Sequence, residues 1–271
     1  MRRTPRAAVV LCGLIVVVLA LAAVAPGLFT SVSPIEADPV NALRPPGGGH
    51  WLGTDELGRD VFSRVVHGAR SSLSVGLGAI LVAVTAGALL GIAAALGGGV
   101  ADTVLMRLAD VLLSLPELMI ALLVIAVLGP GTGNTMIAIA VSLVPGYARM
   151  VRAEALVVRR SGYVEAAVGL GLPRPVLIAR HVLPNALGPL LVLATVGFGT
   201  AIIAVSGLSF LGLGARPPAP EWGTMLSSGR KFLAVAWWTA VFPGAAITLA
   251  VVSVNVVGRR LQAAFTKRTS A

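Results

Sequence analysis

The chain has 271 residues, 56% of them Ala, Val, Ile, Leu, Met, Phe, Trp, Tyr or Cys, and its 32 glycines raise the broadly apolar share to about two-thirds. Only 12% is charged, against about a quarter in an ordinary soluble domain, and mean hydropathy is +0.92. This balance excludes a disordered chain and an ordinary soluble globule, and identifies an integral membrane protein. The net charge of +10 does not signal nucleic acid. The basic residues sit at the ends of apolar runs, without the clustering and interleaved aromatics of a nucleic-acid surface. A single cysteine, Cys12, excludes a disulfide within the chain and a Cys-based zinc finger.

A bilayer core of about 30 Å requires about 20 apolar residues as helix, because every backbone polar group inside it must be satisfied internally. Six stretches meet that requirement: 7–28, 73–96, 108–128, 135–151, 187–205 and 236–257. Arg2, Arg3 and Arg6 precede the first stretch, which resembles a secretory signal ending in Ala23-Val24-Ala25. Its apolar run exceeds the 7–15 residues of a signal core, and Pro26 would follow the cut directly, so an uncleaved anchor is the better reading. The segment 30–71 begins irregularly, with Pro34, Pro39, Pro45-Pro46 and three consecutive glycines. Its later part spaces Val61, Phe62, Val65 and Val66 helically among charges. This reads as an amphipathic helix at the membrane surface, as a helix feeding the second span, or as both. The fourth stretch is short and contains Pro145-Gly146. Pro145-Gly146 and Pro243-Gly244 can kink the fourth and sixth spans and are candidate hinges, although kinks in membrane helices are frequently static.

Placing the N-terminus in the cytoplasm puts the C-terminus there too, with 14 of the 21 basic residues on the inner side. The resulting organisation is a tail and first helix (1–29), an outer segment (30–71), a five-helix core (72–260) and a basic tail (261–271). The core contains an inner loop, 152–184. Lysine is scarce. Lys231 and Lys267 each lack a preceding glycine, so a P-loop of the G-x-x-x-x-G-K-[ST] type is impossible.

The inner loop carries the most informative pattern. Ser161 is placed to cap a short helix, and Glu165 near its start suits the helix dipole. Ala166 and Ala167 keep its surface small, so another protein can approach closely. Gly171 and Pro173 end it, because Gly tolerates a left-handed turn and Pro cannot continue the hydrogen bonding. The expected product is a small-faced knob tethered between the fourth and fifth spans.

The run Glu165-Ala166-Ala167, three residues, Gly171, nine residues, His181, one residue, then Leu183-Pro184 resembles the EAA loop of ABC-importer permeases, with His181 in a slot usually held by Ile. His181-Val-Leu-Pro-Asn185 is similar to the dipeptide, oligopeptide and nickel branch. Three further runs agree with it: His50-Trp-Leu-Gly-Thr-Asp55-Glu-Leu-Gly-Arg59-Asp60, Pro145-Gly-Tyr147-Ala-Arg149, and Gly207-Leu-Ser-Phe-Leu-Gly-Leu-Gly214 followed by Pro218, Trp222-Gly223 and Met225. The chain is most similar to the C-type subunit of dipeptide permeases. Val168-Gly169 and Leu172-Pro173 depart from the more polar residues common there. The resemblance implies an all-α, six-helix permease of the type I importer architecture in the bacterial plasma (inner) membrane. It further implies a homologous second permease completing a pathway for di- or oligopeptides, and an extracytoplasmic substrate-binding protein. Two P-loop ATPase subunits would carry ATP and Mg, this chain binding no cofactor or metal itself. Glu165, Ala166, Ala167, Gly171, His181, Leu183 and Pro184 are the coupling residues it implies. Nickel or another small solute is an alternative cargo.

Within the spans, Asp110 and Glu117 are seven residues apart and so share a face of the expected third helix, with Arg107 in reach of Asp110. Intramembrane carboxylates are costly and often functional, so the pair also admits a proton-coupled secondary transporter. Asp110, Glu117, Ser206 and Asn255 are the candidate pathway residues. Gly87 and Gly91 form a G-x-x-x-G pair that permits close helix approach, a pattern common by chance in a Gly-rich chain. His50, His67 and His181 lie apart and form no metal motif. The Gly207–Gly214 run lacks the G-x-S-x-G spacing of a serine hydrolase.

Overall fold

A computed structural model describes residues 6–177, 180 and 183–269, and it is mostly helical, with no β-strand among the described residues. Among the described residues ten α-helices follow in order: α1 Arg6–Val24, α2 Val61–Leu96, α3 Gly99–Leu113, α4 Glu117–Leu128, α5 Thr132–Arg159, α6 Gly162–Gly169, α7 Arg174–Leu177, α8 Leu183–Phe210, α9 Trp222–Gly229 and α10 Trp238–Thr269. Helices α1, α2, α5, α8 and α10 contain the five continuous stretches long and apolar enough to cross a bilayer. The pair α3–α4 makes a sixth crossing only if its two arms count as one.

The third span departs from expectation. It is not one helix over 108–128 but two arms bent by 97°. Pro116 forces the break, because proline drives the preceding residue out of the helical region and has no N–H to donate. Helix α4, at 12 residues, is about 18 Å long, well short of a bilayer core of about 30 Å. Asp110 and Glu117 therefore lie on different arms and do not share a helical face. Conversely, α5 and α10 run through Pro145 and Pro243 as single helices of 28 and 32 residues. The expected helix at 61–70 forms the first turns of the 36-residue α2, with Val61 and Val66 buried against the protein. Asp60 caps it by accepting the Ser63 N–H at 2.7 Å.

The core lies along the seam of α2, α4, α5 and α8, built from Ala79, Ala83, Ala138, Ile139, Val151, Ala201 and Val205 among others. Its small side chains set the helix spacing. A Cβ added at Gly87 would lie 2.5 Å from Tyr147 Cβ, and one at Gly91 would lie 2.5 Å from the Ala148 carbonyl oxygen. The G-x-x-x-G pair of α2 thus meets the backbone of α5 directly. Helix α1 lies outside this seam against α10 and α2, with only Ala22 buried.

Replacing Gly91 by Ala should force α2 and α5 apart against rigid backbone and cost about 1–3 kcal/mol. Gly146→Ala, which meets nothing within 4 Å, should be neutral or stabilising by up to about 1 kcal/mol. Thermal midpoints of the detergent-solubilised variants check the contrast.

Candidate functional site

Two candidate regions lie at opposite ends of the bundle, separated by the length of α8, whose 28 residues span about 42 Å. The first is the knob formed by α6 and α7. At the end of α5, Ser161 N–H and the Ser161 hydroxyl both donate to the Val158 carbonyl, at 3.0 and 2.6 Å, while Val164 N–H donates to the Ser161 carbonyl. Ser161 thus closes α5 and turns the chain into α6 within two residues. Helix α6 seats Val164 (1% exposed) and Ala167 (7%) against the protein. It turns Gly162, Tyr163, Ala166 and Gly169 outward, and Leu170 follows at 81% exposure.

The end of α6 follows the expected chemistry. Gly171 adopts φ +77°, and the Leu172 N–H reaches back to the Ala167 carbonyl at 3.2 Å, the bond of a Schellman-type terminus. A side chain at Gly171 would meet open space but a strained backbone. Leu183 and Pro184 open α8, where a proline in the first turn sacrifices no helical bond. Glu165 lies within α6, and His181 lies outside the described residues. Of the two alanines, Ala166 faces out and Ala167 faces in, so they serve different purposes.

The knob is braced from behind. Arg152 makes a two-pronged ion pair with Asp102 of α3, its Nη2 donating to Oδ2 at 2.6 Å, and Arg159 Nη1 donates to the Ala95 carbonyl of α2 at 3.3 Å. A fork-to-fork arginine–carboxylate pair fixes orientation as well as distance. Asp110 pairs with Arg149 of α5 at 3.5 Å rather than with Arg107, both side chains being more than half exposed.

The second region is a polar cap at the other end. Segment 30–60 folds over the start of α2 and is pinned by ions and glycines. Asp55 Oδ2 accepts from Arg59 Nε at 2.6 Å and lies 3.4 Å from Arg64 Nε, with all three side chains buried. Arg64 Nη1 also donates to the carbonyls of Pro34 (2.7 Å) and Pro218 (3.3 Å). His50 Nδ1 sits 2.9 Å from Asp60 Oδ2. Gly53 and Gly58 have φ near +75°, and a Cβ at Gly58 would fall on the Asp38 carbonyl. Helix α9 closes the cap. The buried Glu221 carboxylate accepts from the N–H groups of Gly223 and Thr224, both at 2.9 Å, and from the Ser72 hydroxyl at 3.1 Å. Trp222, fully buried, donates to the Val65 carbonyl at 2.8 Å, and Trp238 donates to the Thr54 carbonyl at 3.0 Å.

With this geometry in view, the comparisons are decisive. The model of the family described as "Binding-protein-dependent transport system inner membrane component" matches residues 87–271. The chain belongs to that family. It is 43% identical over 251 residues to the dipeptide transport system permease protein DppC of Alkalihalophilus pseudofirmus, covering 92% of this chain and 83% of that one. It is 45% identical over 213 residues to the di/tripeptide transport system permease protein DppC of Pseudomonas aeruginosa, covering 78% and 70%. Among solved structures it is similar to a chain of the MetNI methionine ABC transporter, with a TM-score of 0.59 and 18% identity over 74% of this chain and 96% of that one, a likeness of fold alone. The protein is a multi-pass membrane transport subunit with an importer-permease fold.

The candidate pathway residues of this permease do not converge on one place. Glu117 opens α4 just past the Pro116 break, with its Oε1 buried and unbonded among the described residues. Ser206 lies beneath α9, its carbonyl 2.6 Å from where a Gly223 Cβ would stand, and its hydroxyl is also buried and unbonded. Asn255 lies in the α8–α10 seam, its Nδ2 2.6 Å from where a Cβ at Gly199 would stand. Sequence reasoning passed over Tyr163 and Leu170, although their i, i+3, i+7 spacing with Ala166 already marked one face of α6. It also left the paired charges of 55–64 without a role.

Asp55→Asn should strand two buried guanidinium groups and cost about 3–5 kcal/mol, the usual result of removing one partner from a buried ion pair. Glu56→Gln touches only a partly exposed contact of 3.5 Å, so it should cost less than about 1 kcal/mol. Denaturation midpoints of the two purified variants measure the difference.

Proposed function

We propose that this chain is one of two homologous permease subunits of an ATP-driven importer of di- and oligopeptides in the bacterial plasma membrane, with both termini cytoplasmic. The observation that carries the reading is α6, a short helix that exposes Gly162, Tyr163, Ala166 and Gly169 and stands on a buried Val164/Ala167 base. Such a face fits a groove on a P-loop ATPase, and this chain has no P-loop sequence of its own. Two ATPase subunits holding ATP and Mg would dock on the knobs of the permease pair, and an extracytoplasmic binding protein would deliver substrate to the cap. The basic residues favour this orientation, because Arg149, Arg152, Arg159 and Arg160 cluster at the knob end. The dipeptide and di/tripeptide permeases among its relatives support the cargo.

Glu165, Ala166, Gly171 and the Leu183-Pro184 entry into α8 form the coupling element, with His181 between them in the sequence. Ala167 supports it from within. Tyr163 and Leu170 extend the docking face on either side of Ala166. ATP biases the permease only through a difference in how the docked ATPases bind its inward-open and outward-open states, so the knob must move with the bundle. The ion pair of Arg152 with Asp102 and the Arg159 bond to α2 give it that rigidity.

Ala166→Arg should leave the permease folded and inserted, because Ala166 is exposed. It should reduce co-purification of the ATPase subunits and peptide uptake in proteoliposomes at least roughly tenfold, a loss of about 1.4 kcal/mol of docking energy. Wild-type uptake by that variant would refute the docking assignment. Uptake that survives removal of the ATPases and follows an imposed proton gradient would support a secondary transporter instead.

A further inference from the structure

The thin packing of α1 leaves a hollow with a ligand-like shape. Between α1 and the α2, α8 and α10 helices runs an apolar groove of about 460 Å³, walled by Val16, Ala20, Leu73, Leu77, Phe198 and Val254. A second hollow of about 290 Å³ continues it toward the knob end, sharing Val16, Leu77, Phe198 and Val254 and ending at Leu261. At the cap end its mouth is marked by Arg70, which is exposed and makes no ion pair or hydrogen bond with another side chain among the described residues. Arg70, Leu73 and Leu77 follow one another at i, i+3 and i+7, so one face of α2 presents a cation above an apolar slot. Arg70 precedes the apolar stretch by three residues, at the end of that span.

The groove is too small for another helix. A helix with its side chains is about 10–12 Å across, which over the roughly 16 Å from Arg70 to Leu81 is well over 1,000 Å³, more than the two hollows of about 460 and 290 Å³ along that length offer together. At roughly 30 Å³ per heavy atom, the share of one water in the liquid, 460 Å³ takes roughly fifteen carbon-sized atoms. One fatty-acyl chain has that size and no polar atoms to strand. A guanidinium at the mouth complements a phosphate, which it binds by charge-assisted hydrogen bonds.

We infer that this groove is a specific phospholipid site, holding one acyl chain between α1 and the α2–α8–α10 wall with its phosphate on Arg70. The lipid completes the packing of α1, whose own contact with the chain buries little besides Ala22. The site depends on membrane embedding and not on the identity of the cargo.

Native mass spectrometry of the full-length chain, purified in mild detergent and supplied with phosphatidylglycerol, tests it. The wild type should retain one lipid per chain. Ala20→Phe should abolish retention by filling the groove, and Arg70→Gln, an exposed change that leaves the fold intact, should weaken it at least roughly tenfold. Arg216→Gln, which removes an exposed cation elsewhere, should retain lipid as the wild type does. No retained lipid in the wild type, or equal retention in Ala20→Phe and Arg70→Gln, overturns the proposal. So does a photoreactive residue at position 77 that cross-links to a second polypeptide rather than to lipid.

Discussion

Everything else in this molecule is hung on the backbone contact between α2 and α5. Gly91 meets the Ala148 carbonyl and Val151, and Gly87 meets Tyr147, at separations no larger residue allows. In a bilayer there is no hydrophobic driving force between helices, so close van der Waals packing of small residues must supply the association. The geometry is consequential because both helices outrun the membrane. Helix α2 begins at Asp60 inside the cap, and α5 ends at Arg159 against the knob. The contact lies toward the knob end of both helices, and α2 carries its position the rest of the way to the cap. Tyr147 extends the same seam to a third helix, its hydroxyl 2.1 Å from where a Cβ at Gly197 of α8 would stand.

The two ends solve opposite problems. The cap buries charge, which is tolerable only when each ion is paired and hydrogen-bonded. Asp55, Arg59 and Arg64 meet that condition together with the Pro34 and Pro218 carbonyls, while the Glu221 carboxylate is compensated by hydrogen bonds from two N–H groups and a hydroxyl. Such a network has one satisfied arrangement, and it locks segment 30–60, α9 and the starts of α2 and α10 into a single piece. The knob does the reverse. It buries Val164 and Ala167 and leaves Gly162, Tyr163, Ala166 and Gly169 outside, on a two-turn helix too short to persist alone. Its stability comes from the Ser161 turn, the left-handed Gly171 and the ion pair behind it.

The long apolar runs were legible because bilayer thickness translates directly into residue count, and the knob was legible because Ala, Gly and Pro there each have one obvious physical use. The break at Pro116 was less so. A proline in an apolar run kinks one helix and divides another, and α5 and α10 pass through Pro145 and Pro243 unbroken while α3 and α4 part. What distinguishes them is three-dimensional. At the Pro116 break, α4 turns to pack on α5, a partner that periodicity does not reveal. The same blindness placed Asp110 with Arg107, its neighbour in sequence, when Arg149 on α5 is its neighbour in space. The glycine pair of α2 was visible but indistinguishable from chance, since the chain holds 32 glycines and only the position of α5 tells which are needed.

In the proposed coupling, the arrangement of these parts constrains how force travels. A push on α6 enters α5 through the Ser161 turn, and α5 cannot yield separately because Arg152 and Arg159 bind it to α3 and α2 at that end. Its backbone is also in contact with α2 at Gly91. The α2–α5 pair must then tilt as one body and carry the cap with it, because α2 is rooted there by Asp60 and the buried ions. Deformation concentrates where the chain is least braced, and two places qualify. One is the 97° corner at Pro116, where Glu117 keeps a buried carboxylate oxygen without a partner. The other is the loose seam of α1. Under that coupling the pair would move between discrete positions rather than through a continuum, since packed helices resist gradual deformation. That bistability is what an ATPase bound only to the knob requires in order to act on the far end.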